Sequence, residues 1–248
     1  MNSYRLLGVY LSMLGLLFLM LGRLVTENVV HEAFGIACTI IGVTLILIPF
    51  EERWKAVTRT LTHMLLDFYA NTERLLKELN LRKPGIYAKI IVGETDDVRV
   101  FIPFSDRINP PTTDIGGLVQ EEEGEPLLAL YPPGRALIVT ARERGLIFSG
   151  EEISAIETSL NSLLVDYSEL CRKVSVGRAG EEVIVTLDGC LKELLEAPKL
   201  FPRVTESIGS PYASLIASIV AFVTSRPVRI RAEEISNSSI KVRLEAYE

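Results

Sequence analysis

Cys190 follows Asp188 and Gly189 near the expected start of a helix, where aligned backbone N–H groups favour a thiolate and would make the sulfur a nucleophile. The neighbouring Asp188 opposes that ionisation. Arg229, Arg231, Lys241 and Arg243 alternate along two β-rich segments, so they share one face of a strand pair, where four cations suit anionic lipid headgroups or a partner's acidic loop. A plainly solvated face has the same spacing. His63 and Asp67 stand one helical turn apart, the arrangement of a base and its orienting carboxylate, but no Ser or Cys is tied to them by a motif. No H-E-x-x-H, Walker loop or G-x-G-x-x-G occurs. The residues therefore offer no catalytic set, no metal ligands and no cofactor site, with Cys190 as a candidate reactive thiol.

These residues belong to a chain that begins with two apolar runs, Leu6 to Gly22 and Ala33 to Phe50, neither of which holds a charged side chain. At ~1.5 Å of rise per residue each run reaches ~26 Å, close to the ~30 Å hydrocarbon layer of a bilayer. Residues 1–50 are expected to form a transmembrane hairpin. A cleaved signal peptide fits less well, because the first run is long, lacks a small-residue cleavage site and is followed at once by the second. Arg5 precedes the first span and Arg53, Lys55 and Arg59 follow the second, against Arg23 in the connection, which predicts both termini in the cytoplasm. Gly8, Ser12, Gly15 and Gly22 lie on one stripe of the first span, and Gly35 and Gly42 repeat its seven-residue interval in the second. Small residues let helix backbones approach closely in lipid, so this stripe is expected to pack the hairpin on itself, with a homo-oligomeric contact as the other use. The lipid bilayer is the first expected partner, and the lack of charge within the runs favours an anchor over an ion pathway.

Past Phe50 the pattern is that of a soluble α+β domain. Residues 51–81 read as an amphipathic connecting helix with Trp54, Val57, Leu61, Leu65, Phe68, Thr72, Leu75 and Leu79 on one face, and Trp54 is placed at headgroup depth. Residues 82–248 read as β-hairpins packed with helices. The expected hairpins are Ile86 to Val92 with Val98 to Phe104, Lys173 to Val176 with Val183 to Leu187, and a terminal pair. The stretch from Ser105 to Pro126 reads as a loop, either a lid or disordered. Pro132-Pro133 is expected to open a short helix, and Ser149 with Glu152 forms a capping box before another. Ser210 and Pro211 open a nearly wholly apolar, buried helix. In the terminal pair Val228, Ile230 and Ala232 are expected to share a face with Ile240, Val242 and Leu244, the four cations facing water and Glu233, Glu234 and Glu245 diluting the ends.

A formal charge of −6 disfavours nucleic acid as a partner. Three cysteines without a C-x-x-C pair fit a reduced compartment.

Gly209-Ser210-Pro211-Tyr212-Ala213-Ser214, the apolar helix, Arg226-Pro227-Val228 and the alternating strands resemble the closing segment of uncharacterised archaeal membrane-anchored proteins. More faintly, the same forty or so residues are similar to the last helix and hairpin of vinyl-reductase-type ligand-binding domains. That second family often carries cysteines here, whereas this chain has none after Cys190. The resemblance implies an α+β domain that encloses an apolar ligand, although fold likeness alone does not establish function. Taken together, the expected function is a membrane-tethered interaction or scaffold protein with a protein partner or a second copy of itself. A membrane-anchored sensor of an apolar small ligand comes second, and an enzyme with a dispersed active site third.

Overall fold

The computed structural model describes residues 3–26, 29–47, 50–93, 95–105, 117–122, 125–146, 150 and 152–246, and divides into units Met1–Leu61 and Thr62–Glu248. The first unit holds α1 (Ser3–Leu21), which ends in a π-helical turn over Gly22–Thr26, and α2 (Val29–Leu47). Leu6–Leu24 and Val29–Ile46 are long and apolar enough to cross a membrane, and only 17% of each stretch is buried. Their outward side chains are large and apolar, among them Leu7, Leu17, Phe34 and Ile40.

The small residues of the two helices meet along a seam. A Cβ on Gly15 would lie 2.4 Å from Thr39 Oγ1 and 2.7 Å from the Gly35 carbonyl oxygen, and one on Gly42 would lie 2.4 Å from Ser12 Oγ. Gly8 faces the Gly42 carbonyl, and Gly22 faces Glu32. Such separations exclude any side chain larger than hydrogen, so the glycines set how closely the backbones approach. Phe18 closes one side of the seam with its ring edge-on to Phe34, centroids 5.1 Å apart.

α3 (Phe50–Glu78) runs into the second unit. The expected break at Ile48-Pro49 and the side chain of Trp54 fall outside the described residues. Of the expected line, Thr72 is buried and Leu65, Phe68 and Leu75 are partly buried against the main core, while Tyr69, Glu73 and Leu76 are buried beside them and Leu79, past the helix end, is exposed. The buried face is extended toward Tyr69 and Glu73 by polar contacts that hydrophobic spacing does not register. Glu73 Oε2 accepts the Val204 N–H at 2.9 Å, and the Tyr69 hydroxyl donates to the Gly209 carbonyl at 3.1 Å.

The domain's framework is a single antiparallel sheet in the order β3-β4-β2-β1-β7-β8-β6-β5. Its strands are β1 (Ile86–Val92), β2 (Thr95–Pro103), β3 (Val119–Glu122), β4 (Glu125–Leu130), β5 (Lys173–Ala179), β6 (Glu182–Asp188), β7 (Val228–Ile235) and β8 (Ser239–Ala246). The expected hairpins are therefore present but merged through the terminal pair: β7 pairs with β1 on one side, and β8 pairs with β6 on the other. Tyr87, Val100, Leu128, Val185, Val228, Val242 and Leu244 carry the main core on one face. A smaller cluster of Ala88, Ile90, Phe101, Leu127 and Ala129 lies apart from it. In β1 and β2 consecutive residues serve the two clusters, as alternation along a strand requires.

α8 (Pro211–Thr224) lies in the main core, buried from Pro211 to Val223, flanked by α4 (Arg135–Glu143), α5 (Ile153–Asn161) and α6 (Lys192–Leu200). Its segment with the preceding α7 (Pro202–Ile208) is apolar enough to cross a membrane but is 94% buried, so it is a core element of the fold. Ser210 caps α8, its Oγ accepting the Ala213 N–H at 3.2 Å, with Pro211 pre-set for the first turn.

Several expectations need correction. The Ser105 to Pro126 stretch is not all loop: β3 and the first residues of β4 pair within it, Glu121 opposite Pro126. Residues 106–116 and 123–124 lie outside the described set. The acidic composition of β3 concealed a short edge strand, which needs only one apolar face. The short helix expected to open at Pro132-Pro133 starts instead at Arg135, α4, with Pro133 and Gly134 in a turn and Gly134 as its N-cap. α5 begins at Ile153 with Glu152 itself as N-cap, making no side-chain cap bond, while Ser149 is outside the described residues.

Candidate functional site

The described cavity in the domain lies where α5 and the C-terminal half of α8 meet the sheet. It has a volume of ≈ 220 Å³ and is walled by Ile153, Ile156, Val183, Val220, Val228, Leu244 and Ala246. Alternation places Val183, Val228, Leu244 and Ala246 on the core face, and α8 supplies Val220 and Thr224 one turn apart. Short side chains at Val183, Val220, Val228 and Ala246 leave space that Leu or Phe would occupy. Three exposed charged residues complete the lining: Arg178 and Glu181 at the β5–β6 turn, and Arg226 just after α8. A half-open cleft with an aliphatic floor and charged groups at its rim is one form of a small-molecule site, although this one is smaller than most.

The opposite end of α8 carries a buried polar knot. The Tyr87 hydroxyl donates to the Ile208 carbonyl and shares a 2.8 Å hydrogen bond with the Ser214 hydroxyl. Tyr69 reaches the next carbonyl, Gly209. Glu233 Oε1 accepts the Ser210 N–H at 2.9 Å, placing a carboxylate at the N-terminus of α8, while Oε2 is buried without a hydrogen-bond partner. Burial pushes the Glu233 carboxyl up, against the pull of the Ser210 hydrogen bonds, and burial also raises the Tyr69 and Tyr87 phenols. Gly209 has φ 76°, and a Cβ there would meet Glu233 Oε1 at 2.8 Å, so glycine is required at this crossing. Such a knot orients α8 on the sheet.

Glu233 reaches this position through a β-bulge. The β7–β8 register shifts between Ile230 and Ala232, which brings Ala232 opposite Arg243 and Glu233 opposite Val242. The expected face of Val228, Ile230 and Ala232 is corrected accordingly: Ala232 joins the charged side, and Glu233 turns toward α8 instead of diluting the strand end.

The four cations do share one side of the hairpin, in company with two carboxylates. Arg229 and Arg231 meet Glu245 at 2.9 and 2.6 Å, and Arg243 and Lys241 meet Glu234 at 2.8 and 3.7 Å. Burial pushes the Glu245 carboxyl up, but hydrogen bonds from Arg231 and Arg229 outweigh it and hold the group below the ordinary carboxylate range. An anionic partner arriving at this face must compete with Glu234 and Glu245.

Cys190 is 8% exposed and lies outside any helix, since α6 starts at Lys192. Burial, with smaller contributions from Cys171 and Asp188, pushes its thiol up to about 12, and burial pushes Cys171 up to about 11. Both are thiols near neutrality, the form least suited to nucleophilic attack. Tyr212 holds the connections beside them, its hydroxyl donating to the Leu170 carbonyl and accepting the Leu191 N–H, each at 2.8 Å. His63 and Asp67 are exposed on α3. On the other face of the sheet Asp97, 5% exposed, takes two 2.8 Å contacts from Arg135 Nε, and Tyr131 lies between the guanidiniums of Arg99 and Arg135.

Sequence reasoning missed the cavity walls, Tyr69, Tyr87 and Glu233. A signal existed for part of the knot: Ser210, Ser214 and Ser218 recur every four residues along an otherwise apolar helix.

A family model spans residues 1–245, and the chain belongs to that family, described as a domain of unknown function, DUF7982. No curated protein and no solved structure matches the chain.

Proposed function

We propose that this chain is a two-span membrane protein with both termini and the α+β domain on the cytosolic side, and that the domain binds a small apolar molecule between α5, α8 and the sheet. The cavity carries this reading. A space of ≈ 220 Å³ with an aliphatic wall remains beside the most thoroughly buried helix of the domain. Clefts with an aliphatic floor and a few polar groups at the rim are where small molecules bind, and this one is open to solvent on its charged side. For comparison, a cavity of roughly 150 Å³ lined by aliphatic residues holds benzene.

Native mass spectrometry of the full chain released from nanodiscs tests the ligand. A bound small molecule in the native chain, absent from a Val220→Phe variant, is expected; equal adducts on both would refute the site. Protease added to sealed, right-side-out vesicles tests the orientation, with an intact domain expected and removal of its carboxyl end refuting it.

A second reading, an interaction or scaffold domain, is favoured by the outer edge of β3, where Leu118 and Val119 are 51% and 55% exposed and β3 pairs, among the described residues, with β4 alone. An extended segment of another protein, or of a second copy, adds naturally to such an edge. Glu substitution at Val119 should abolish capture of that partner while leaving the cavity ligand in place.

A further inference from the structure

We infer that Cys171 and Cys190 are a redox pair that closes an intramolecular disulfide when the domain meets a small disulfide oxidant of the glutathione type. The bond would clasp the segment leading into β5 to the segment leaving β6. The two are the domain's only cysteines, and both side chains lie in the main core, 4% and 8% exposed, so they enter the same interior. The backbones around them are tied on both sides. On one side the Arg172 N–H donates to the Asp188 carbonyl at 2.8 Å. On the other the Tyr212 hydroxyl bridges the Leu170 carbonyl and the Leu191 N–H, and the Cys190 thiol meets the same hydroxyl. Each cysteine therefore stands between two links to the other's segment. Strand-like backbones tied in this way carry facing Cα atoms about 4.5–5.5 Å apart, within the span of about 4.4–6.8 Å that a disulfide bridges.

The exchange starts when local opening lets one thiol ionise. That thiolate attacks a sulfur of glutathione disulfide and expels one glutathione thiolate, leaving a mixed disulfide on the chain. The second cysteine, as thiolate, attacks the protein sulfur of that mixed disulfide and expels the other glutathione. The chain gives up two electrons and two protons, and both glutathiones leave as thiols. Once the domain recloses, the interior that disfavours a thiolate accepts a neutral disulfide without penalty, so the oxidised pair is a stable clasp and not an exchange catalyst. Excess glutathione runs the same steps backwards through the same opening.

The test brings the full chain in nanodiscs to equilibrium in mixtures of glutathione and glutathione disulfide, starting once from reduced and once from oxidised chain. Samples are quenched in acid, unfolded, alkylated with iodoacetamide and weighed by mass spectrometry. The oxidised product should carry no glutathione, leave Cys38 alone to react, and yield a peptide joining Cys171 to Cys190. Cys190→Ala should yield no such peptide. The equilibrium constant for closing the disulfide should be at least about tenfold larger in the folded chain than in the same chain unfolded in urea, because the fold has already brought the two cysteines together. By linkage that tenfold appears as a thermal midpoint about 3–6 °C higher for the oxidised chain than for the reduced one. An equal or smaller constant in the folded chain would overturn the pairing. So would free thiols or glutathione adducts at both positions of the native chain.

Discussion

Replacing Tyr87 by Phe removes one oxygen from the centre of the polar knot and nothing else. The side chain is 0% exposed, and its hydroxyl bonds both the Ile208 carbonyl and the Ser214 hydroxyl. A buried hydrogen bond contributes about 0.5–1.5 kcal/mol net, and a polar partner left unpaired costs about 1–3 kcal/mol, so two lost bonds should destabilise the domain by about 2 kcal/mol. For a domain of this size each kcal/mol moves the midpoint by about 2–4 °C, which gives a fall of roughly 4–8 °C. Ser214→Ala should cost about 1 kcal/mol, because Tyr87 keeps its bond to Ile208. The double variant should be less destabilised than the sum of the singles by about 1 kcal/mol, since the two hydroxyls share one bond. Thermal unfolding of the full chain in nanodiscs, followed by circular dichroism and by pulse proteolysis in urea, measures all three. If Tyr87→Phe changes stability by less than about 0.5 kcal/mol, or if the two substitutions are additive, the knot does not hold α8 on the sheet as argued.

Gly15→Leu should part the hairpin, because the added side chain begins 2.4 Å from Thr39 Oγ1. Spin labels at Leu7 and Ile46, in a Cys38→Ala background, should separate, whereas Leu14→Val on the exposed side of α1 should leave them close. Glu233→Gln should remove a pH dependence. A carboxyl raised in the folded state holds its proton more tightly there than in the unfolded chain, so its contribution to stability falls as pH rises from the ordinary carboxylate range to the raised value. The difference in stability between Glu233→Gln and the native chain should therefore grow in the variant's favour across that window; a flat difference would show that the carboxyl is not perturbed. Cys171 and Cys190 should resist maleimide at neutral pH until the domain unfolds, and rapid labelling of the folded chain would contradict their burial.

Much of the architecture was legible because it depends on local pattern. The apolar runs of residues 6–22 and 33–50 exceed what any water-exposed helix tolerates, the seven-residue glycine interval marks one stripe, and Ser210-Pro211 announces α8 through capping chemistry that involves only adjacent residues. Alternation likewise located six of the eight strands. β3 escaped because a short acidic edge strand carries too little hydrophobic contrast to register, and β4 because Leu127 to Leu130 is an unbroken apolar run, buried on both faces, that shows no alternation.

What remained hidden was set by contacts distant in sequence. Whether three hairpins stay apart or merge depends on β7 pairing with β1 and β8 with β6, and nothing in those strands states either pairing. The bulge after Ile230 adds one residue to β7, and since side chains alternate with period two, that single insertion turned Glu233 from solvent toward the Ser210 N–H and moved Ala232 to the charged side. The pairing of four cations with Glu234 and Glu245, the burial that keeps Cys190 a thiol, and the space beneath α5 and α8 all arise the same way. Each is a property of surfaces brought together by the fold, where removal from water and the identity of the facing residue decide charge, proton affinity and volume. Residue order alone determines which side chains are present and which local shapes they prefer; the tertiary structure decides which of them face one another.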